Sequence, residues 1–232
     1  LNKVKKLTAL LEKNYDSVYV IHYAGELRKD KAGLAYSSRI TSVAILHAAS
    51  RTMHSFSLHL VAEIMGVAWE DLDKRMDDVE ARMLSDLFAF IKNHSDALWI
   101  HWEMSNIHYG FQALAHRYTI LTGEEAPPIA DKNRINLSSL VAERYGKGCV
   151  DHPILYNLIR LNNSNQKGML TGAEEVEAFE NRELKKLHNS NMSKVYSLNV
   201  ILDAVLQGKL QVQHSAFPQR VSGKSGSEHS IL

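Results

Sequence analysis

The chain has 232 residues, 45% of them hydrophobic, with a formal net charge of +1. That length and apolar content suffice for one domain with a full core. The balanced charge excludes a protein that coats nucleic acid or anionic membrane by bulk electrostatics. Cys149 is the only cysteine, which excludes an internal disulfide and a multi-cysteine zinc or iron–sulfur site. No run approaches the roughly 18 apolar residues of a membrane helix. The basic opening Leu1-Asn-Lys-Val-Lys-Lys-Leu7 lacks an apolar signal core, so the expected compartment is the cytoplasm.

Val4, Leu7, Leu10 and Leu11 recur at helical spacing, predicting an amphipathic helix over residues 2–14 that leads into a domain over 16–210. The first strand begins at Tyr19 and Val20, which are aromatic and β-branched, and runs out past Gly25 into Glu26. Ile40 to Leu46 is a nearly continuous apolar strand, buried on both faces. In the third run, His54, Phe56, Leu58 and Leu60 alternate with Met53, Ser55 and Ser57, predicting a strand over 52–60 with one wetter face. The short polar link between these two runs predicts a hairpin, hence antiparallel pairing.

Residues 69–93 turn helical, with Met76, Val79, Met83, Leu87, Phe90 and Ile91 as the buried stripe. Acid-to-base pairs at i,i+4, such as Asp71 with Arg75 and Asp78 with Arg82, are expected on the outer face. A short strand over 96–101 follows; the helical crossover before it suits parallel pairing to the first strand. Helices are expected over 106–121, 137–145, 153–161, 172–187 and 193–206, and a flexible tail over 211–232. The order is that of an α/β layer fold with a mixed sheet, and no phosphate-binding glycine motif follows any strand.

A series of short matches, in order over residues 17–207, resembles the DEDDh 3′–5′ exonucleases of the ribonuclease-H-like superfamily. Ala24-Gly25-Glu26 is similar to the Asp-x-Glu of that family's first strand, and Arg39-Ile-Thr-Ser-Val-Ala-Ile45 to its second strand. His101-Trp-Glu-Met-Ser-Asn106 lies at the strand-to-helix junction of its second motif, and Asp131 matches a mid-chain aspartate. His188-Asn-Ser-Asn-Met-Ser193 is similar to the closing His-x-x-x-x-Asp, with His188 as the implied general base. The resemblance implies a sheet of three antiparallel strands followed by a helix and a parallel strand. It also implies a Mg²⁺ or Mn²⁺ site and a single-stranded nucleic-acid end as substrate.

Two-metal phosphodiester cleavage needs converging carboxylates, because Mg²⁺ is held by hard oxygen donors. Under this alignment Glu26 remains as a metal ligand and candidate catalytic residue, and Asn106 offers only a neutral carbonyl oxygen. Ala24 and Ser193 stand where the family has carboxylates, so the expected site is degenerate, that of a pseudoenzyme. Trp102 is a candidate for stacking on a base, and Lys185, Lys186 and Lys194, which flank His188, for contacting the phosphate backbone. The acidic run Glu174, Glu175, Glu177, Glu180 and Glu183 reads as a solvated helix face. A transition-metal set of His22, Glu26, His101 and His108 is conceivable, but no H-x-x-x-H pair supports it.

The expected function is therefore nucleic-acid binding or processing by an exonuclease-like domain, inside a larger assembly or as a homodimer. An active 3′–5′ exonuclease with a rearranged site is the enzymatic alternative. A TIR-like signalling or NAD-cleaving domain is a further one, since residues 15–23 also resemble that family's opening strand; it requires a parallel sheet. A structural adaptor is the third.

Overall fold

A computed structural model of the chain describes residues 2–26, 38–105, 109–162 and 167–214. Helix α1 (Asn2–Lys13) leads into strand β1 (Val18–Gly25), which pairs antiparallel with β2 (Ile40–His47). The hairpin to β3 (Met53–Ser57) is antiparallel, as its short link requires. Helix α3 (Leu72–Asn93), entered through a 3₁₀ turn at Trp69–Asp71 and preceded by α2 (Leu58–Ile64), crosses to β4 (Leu98–His101). That strand pairs parallel with β1, and α4 (Phe111–Thr122) then leads to β5 (Arg134–Asn136), parallel to β4. Helices α5 (Leu137–Tyr145), α6 (Ile154–Leu161), α7 (Gly172–Glu180) and α8 (Leu184–Leu206) follow. The sheet order β3-β2-β1-β4-β5 in an α/β fold is the ribonuclease-H-like topology.

Period-two alternation divides the core into two layers. Ile21, Tyr23, Val43, Ile45 and Trp99 face α3, whose Met76, Val79, Met83, Leu87 and Ile91 form the expected stripe. Val18, Val20, Ala44, Leu46, Leu98 and Ile100 face the other way, onto Leu198, Ile201, Leu202 and Val205 of α8 and onto residues of α5 and α6. Strand β2 is buried at every position but its last, which accounts for its unbroken apolar run. Among the described residues, no helix is long and apolar enough to cross a membrane.

Several expectations need correction. The third strand stops at Ser57, because Leu58, Val61 and Ala62 are buried at i, i+3, i+4 and wind into α2. The alternation through Leu58 and Leu60 coincides with a helical period there. Strand β5, only three residues long, has too little sequence for a periodic signal. The helix expected over 172–187 breaks after Glu180: Arg182 adopts φ 58° and the chain restarts as α8, continuous through His188 to Leu206. Outer-face ion pairs form at Asp71–Lys74 and Arg75–Asp78, three residues apart, and at Arg82–Asp86, four apart but with the base first, so the partners differ from the expected acid-to-base pairs. The antiparallel β1-β2-β3 unit is not the parallel sheet that a TIR-like domain requires.

Of the expected tail, residues 215–232 lie outside the described residues, whereas 211–214 are tied to the body. The Gln213 and His214 backbone N–H groups both donate to the Cys149 carbonyl at 2.9 Å. The Gln211 N–H donates to Asn162 Oδ1, also at 2.9 Å.

One ionic cluster fastens the α3 layer to the sheet. Glu80 of α3 is fully buried and accepts from the Ile40 backbone N–H at 2.7 Å, where β2 begins. The Arg117 guanidinium of α4 grips it at 2.9 and 2.6 Å, and Arg39 adds a contact at 3.0 Å. Removing one partner of a buried pair leaves the other charge desolvated and uncompensated. Glu80→Ala is therefore expected to lower the unfolding free energy by about 3–5 kcal/mol in urea titrations. Asp77→Ala, at the exposed side of the same cluster, should cost under about 1 kcal/mol.

Candidate functional site

Where α8 crosses β1 and β2, its apolar face gives way to polar residues. Asn191 is fully buried there and joins both strands. Its Nδ2 donates to the Ser42 carbonyl at 3.1 Å, Ser42 Oγ at 2.9 Å and the His22 carbonyl at 3.3 Å. Its Oδ1 lies 2.7 Å from His22 Nδ1. An amide oxygen only accepts, so His22 carries its proton on Nδ1. The other ring nitrogen, Nε2, is then the acceptor for the Tyr109 hydroxyl at 3.1 Å. That hydroxyl also lies 3.1 Å from the Tyr23 carbonyl, and its one proton serves one acceptor at a time.

Burial, then the Lys194 ammonium, pushes the His22 pKa down to about 4 against an opposing contribution from Asn191, so the ring is neutral near pH 7. Burial also raises the Tyr109 hydroxyl well above its ordinary value, helped by Tyr23 and Glu175. Rings Tyr23 and Tyr109 stack at 4.5 Å, and Tyr23 Oη accepts from the Gly110 N–H at 2.8 Å. Lys194, 6% exposed, donates to Glu175 Oε1 of α7 at 2.5 Å. Glu175 is held on α7, whose start is fixed by a capping box between Thr171 and Glu174.

His188 is buried nearer β2, with Nδ1 3.3 Å from Ser42 Oγ, and its ring centroid lies 5.3 Å from that of His59 on α2. Burial, then His59, lowers its pKa to about 4. Two serines thus assist the polar layer: Ser42 bridges Asn191 and His188, while Ser190 Oγ accepts from the Leu170 N–H at 2.9 Å.

The residues singled out from sequence do not all meet. Glu26 is half-buried just past β1, its backbone N–H donating to the Arg39 carbonyl at 2.8 Å. Asn106 and His108 lie outside the described residues. Ser193 points its hydroxyl toward the Lys167 carbonyl at 3.5 Å, away from β1. Asn191, two residues earlier, is the residue that α8 presents to β1.

Lys185 and Lys186 are exposed on the first turn of α8, Lys186 beside Glu183 at 2.8 Å. Lys194 is not on that surface: it is buried against Glu175, which correspondingly is not part of a solvated acidic face. Trp102 is half-buried against the α8-side core. His22 and His101 cannot share a metal, because successive positions put His22 on the α8 side of the sheet and His101 on the α3 side, against Phe111. Asn191 and Ser42 carry no sequence signal as site residues, because small polar residues within largely apolar elements have no periodicity of their own, and Glu175 is masked by its acidic neighbours.

The divalent metal implied by an exonuclease-like site does not fit these donors. Ala24 offers a methyl group, and His22 and Asn191 spend polar atoms on each other. Among the described residues, no group of three or more His, Cys, Asp or Glu is arranged to hold a metal ion. No protein-family model matches the chain, and no curated protein or solved structure is significantly similar to it.

His22, His101 and His188 all have folded pKa values lowered to about 4. The unfolded chain, with imidazoles near pH 6.5, binds roughly three more protons around pH 5. Stability should therefore be level above about pH 7 and fall as pH drops from about 6.5 toward 4. Urea titrations across that range check this, and His188→Gln is expected to reduce the slope.

Proposed function

We propose that this chain is a nucleic-acid-binding domain that engages a single-stranded end and does not cleave it by two-metal chemistry. The observation that carries this reading is a ribonuclease-H-like sheet whose β1–α8 contact is filled by His22, Asn191 and a buried Lys194–Glu175 pair. The resemblance of the motifs around residues 24–26, 39–45, 101–106 and 188–193 to DEDDh exonucleases supports nucleic acid as the partner. A mononuclear or displaced metal at Glu26 is the enzymatic alternative, favoured by the one acidic residue retained at the end of β1.

Exposed Lys185 and Lys186 supply positive charge at the start of α8. Phosphate contacts of this kind strengthen as salt falls, since binding releases condensed counterions. Trp102, half-buried beyond β4, supplies an aromatic ring for stacking on a base.

The test uses 3′-labelled single-stranded DNA and RNA. Binding by fluorescence anisotropy is expected at low salt, with affinity falling as salt rises. Lys185→Glu/Lys186→Glu should weaken it by about tenfold or more, given the strong charge dependence of phosphate contacts. Labelled strands should keep their length in Mg²⁺ or Mn²⁺. Metal-dependent shortening abolished by Glu26→Ala would establish the exonuclease alternative, and no binding of any oligonucleotide at low salt would favour an adaptor.

A further inference from the structure

The contact between β1 and α8 contains a cation of its own. We propose that the Lys194 ammonium, held by Glu175, is the resident cation of this face and keeps divalent metal out of the His22–Asn191 cluster. Lys194 is 6% exposed and the Glu175 side chain 16%, with Nζ and Oε1 2.5 Å apart. A buried ammonium is tolerated because a carboxylate compensates it.

Lys194 lies three residues, one helical turn, beyond Asn191 on α8, and Asn191 contacts His22, so the pair adjoins the cluster. The field of Lys194 reaches His22 and favours its neutral ring, while that of Glu175 reaches Tyr109 and Tyr156. A divalent ion brought beside His22 would meet a like charge in a poorly screened interior, where repulsion is strong. The nearby carboxylate that could attract it is already engaged by Lys194.

The hydrogen bonds add a second barrier. For His22 to ligate through Nδ1 it must lose its proton there and leave Asn191 Oδ1. Ligation through Nε2 displaces the Tyr109 hydroxyl. Asn191 cannot turn its oxygen to a metal while its Nδ2 holds Ser42 of β2. The cluster is complete without a metal, and the inference depends on these contacts, not on nucleic-acid binding.

Mn²⁺ binding to the 232-residue chain, read by electron paramagnetic resonance of free Mn²⁺ and by melting temperature, tests it; circular dichroism reports folding. Wild type and Ala24→Asp/Asn191→Asp are expected to bind no Mn²⁺ at millimolar concentration, because the Lys194 ammonium still opposes a divalent ion beside His22. Adding Lys194→Met to that double variant should create binding, seen as a melting temperature that rises with Mn²⁺, and Lys194→Arg in the same background should stay silent.

Mn²⁺ binding by wild type that His22→Ala abolishes would overturn the proposal. So would binding by Ala24→Asp/Asn191→Asp with Lys194 intact, or none in a folded Lys194→Met triple variant. Should the triple variant not fold, the Lys194-intact double variant decides: bound Mn²⁺ overturns the proposal, and none upholds it. Oligonucleotide affinity is not measured, so failure here is distinct from failure of the nucleic-acid reading.

Discussion

The amide of Asn191 is the constraint on which the arrangement around β1 depends. Its Nδ2 holds the Ser42 carbonyl and hydroxyl on β2, its Oδ1 receives His22 on β1, and it does so from the middle of the 23-residue helix α8. A buried amide left unpaired costs about 1–3 kcal/mol, so these partners are interdependent. Together they fix the rotation of α8, and that rotation turns Lys194 inward to Glu175 and Ser193 outward. It also leaves Lys185 and Lys186 on the surface. This amide, together with the buried apolar face of Leu198, Ile201, Leu202 and Val205, sets which residues of the last helix face solvent and which serve the interior.

Charge follows from the same packing. The α3 side of the sheet closes on Glu80 between two arginines, and the α8 side closes on Lys194 with Glu175. Both are desolvated ion pairs, but their surroundings differ. Glu80 caps the start of β2 through the Ile40 N–H. Lys194 lies one helical turn from Asn191, the partner of neutral His22, and is itself held by Glu175. A site built for cation binding needs excess negative charge, whereas here the positive charge is covalently part of the chain.

Much of the fold was legible because periodicity is a strong signal where burial is one-sided or complete. The β2–β3 hairpin followed from its short polar link, and the parallel pairing of β4 with β1 from the long α3 crossover. The signal failed where two periods coincide, as at Leu58 and Leu60, and where an element is too short, as at Arg134–Asn136. The candidate site was less legible. His22 and His188 were visible as histidines, but their partners Ser42 and Asn191 look ordinary in sequence. The motif read at His188-x-x-x-x-Ser193 pointed to a residue two positions past the one that faces β1. Glu175 was hidden in an acidic run because composition cannot tell which glutamate on a helix turns inward.

On this proposal the β1–α8 contact is a completed polar cluster with an internal cation, not a two-metal site. Anomalous diffraction from crystals grown in MnCl₂ tests it most directly. The expected density has Lys194 Nζ on Glu175, Asn191 between His22 and Ser42, and no manganese peak between β1 and α8. A manganese peak ligated by Glu26 or His22, with Lys194 swung away from Glu175, would contradict it.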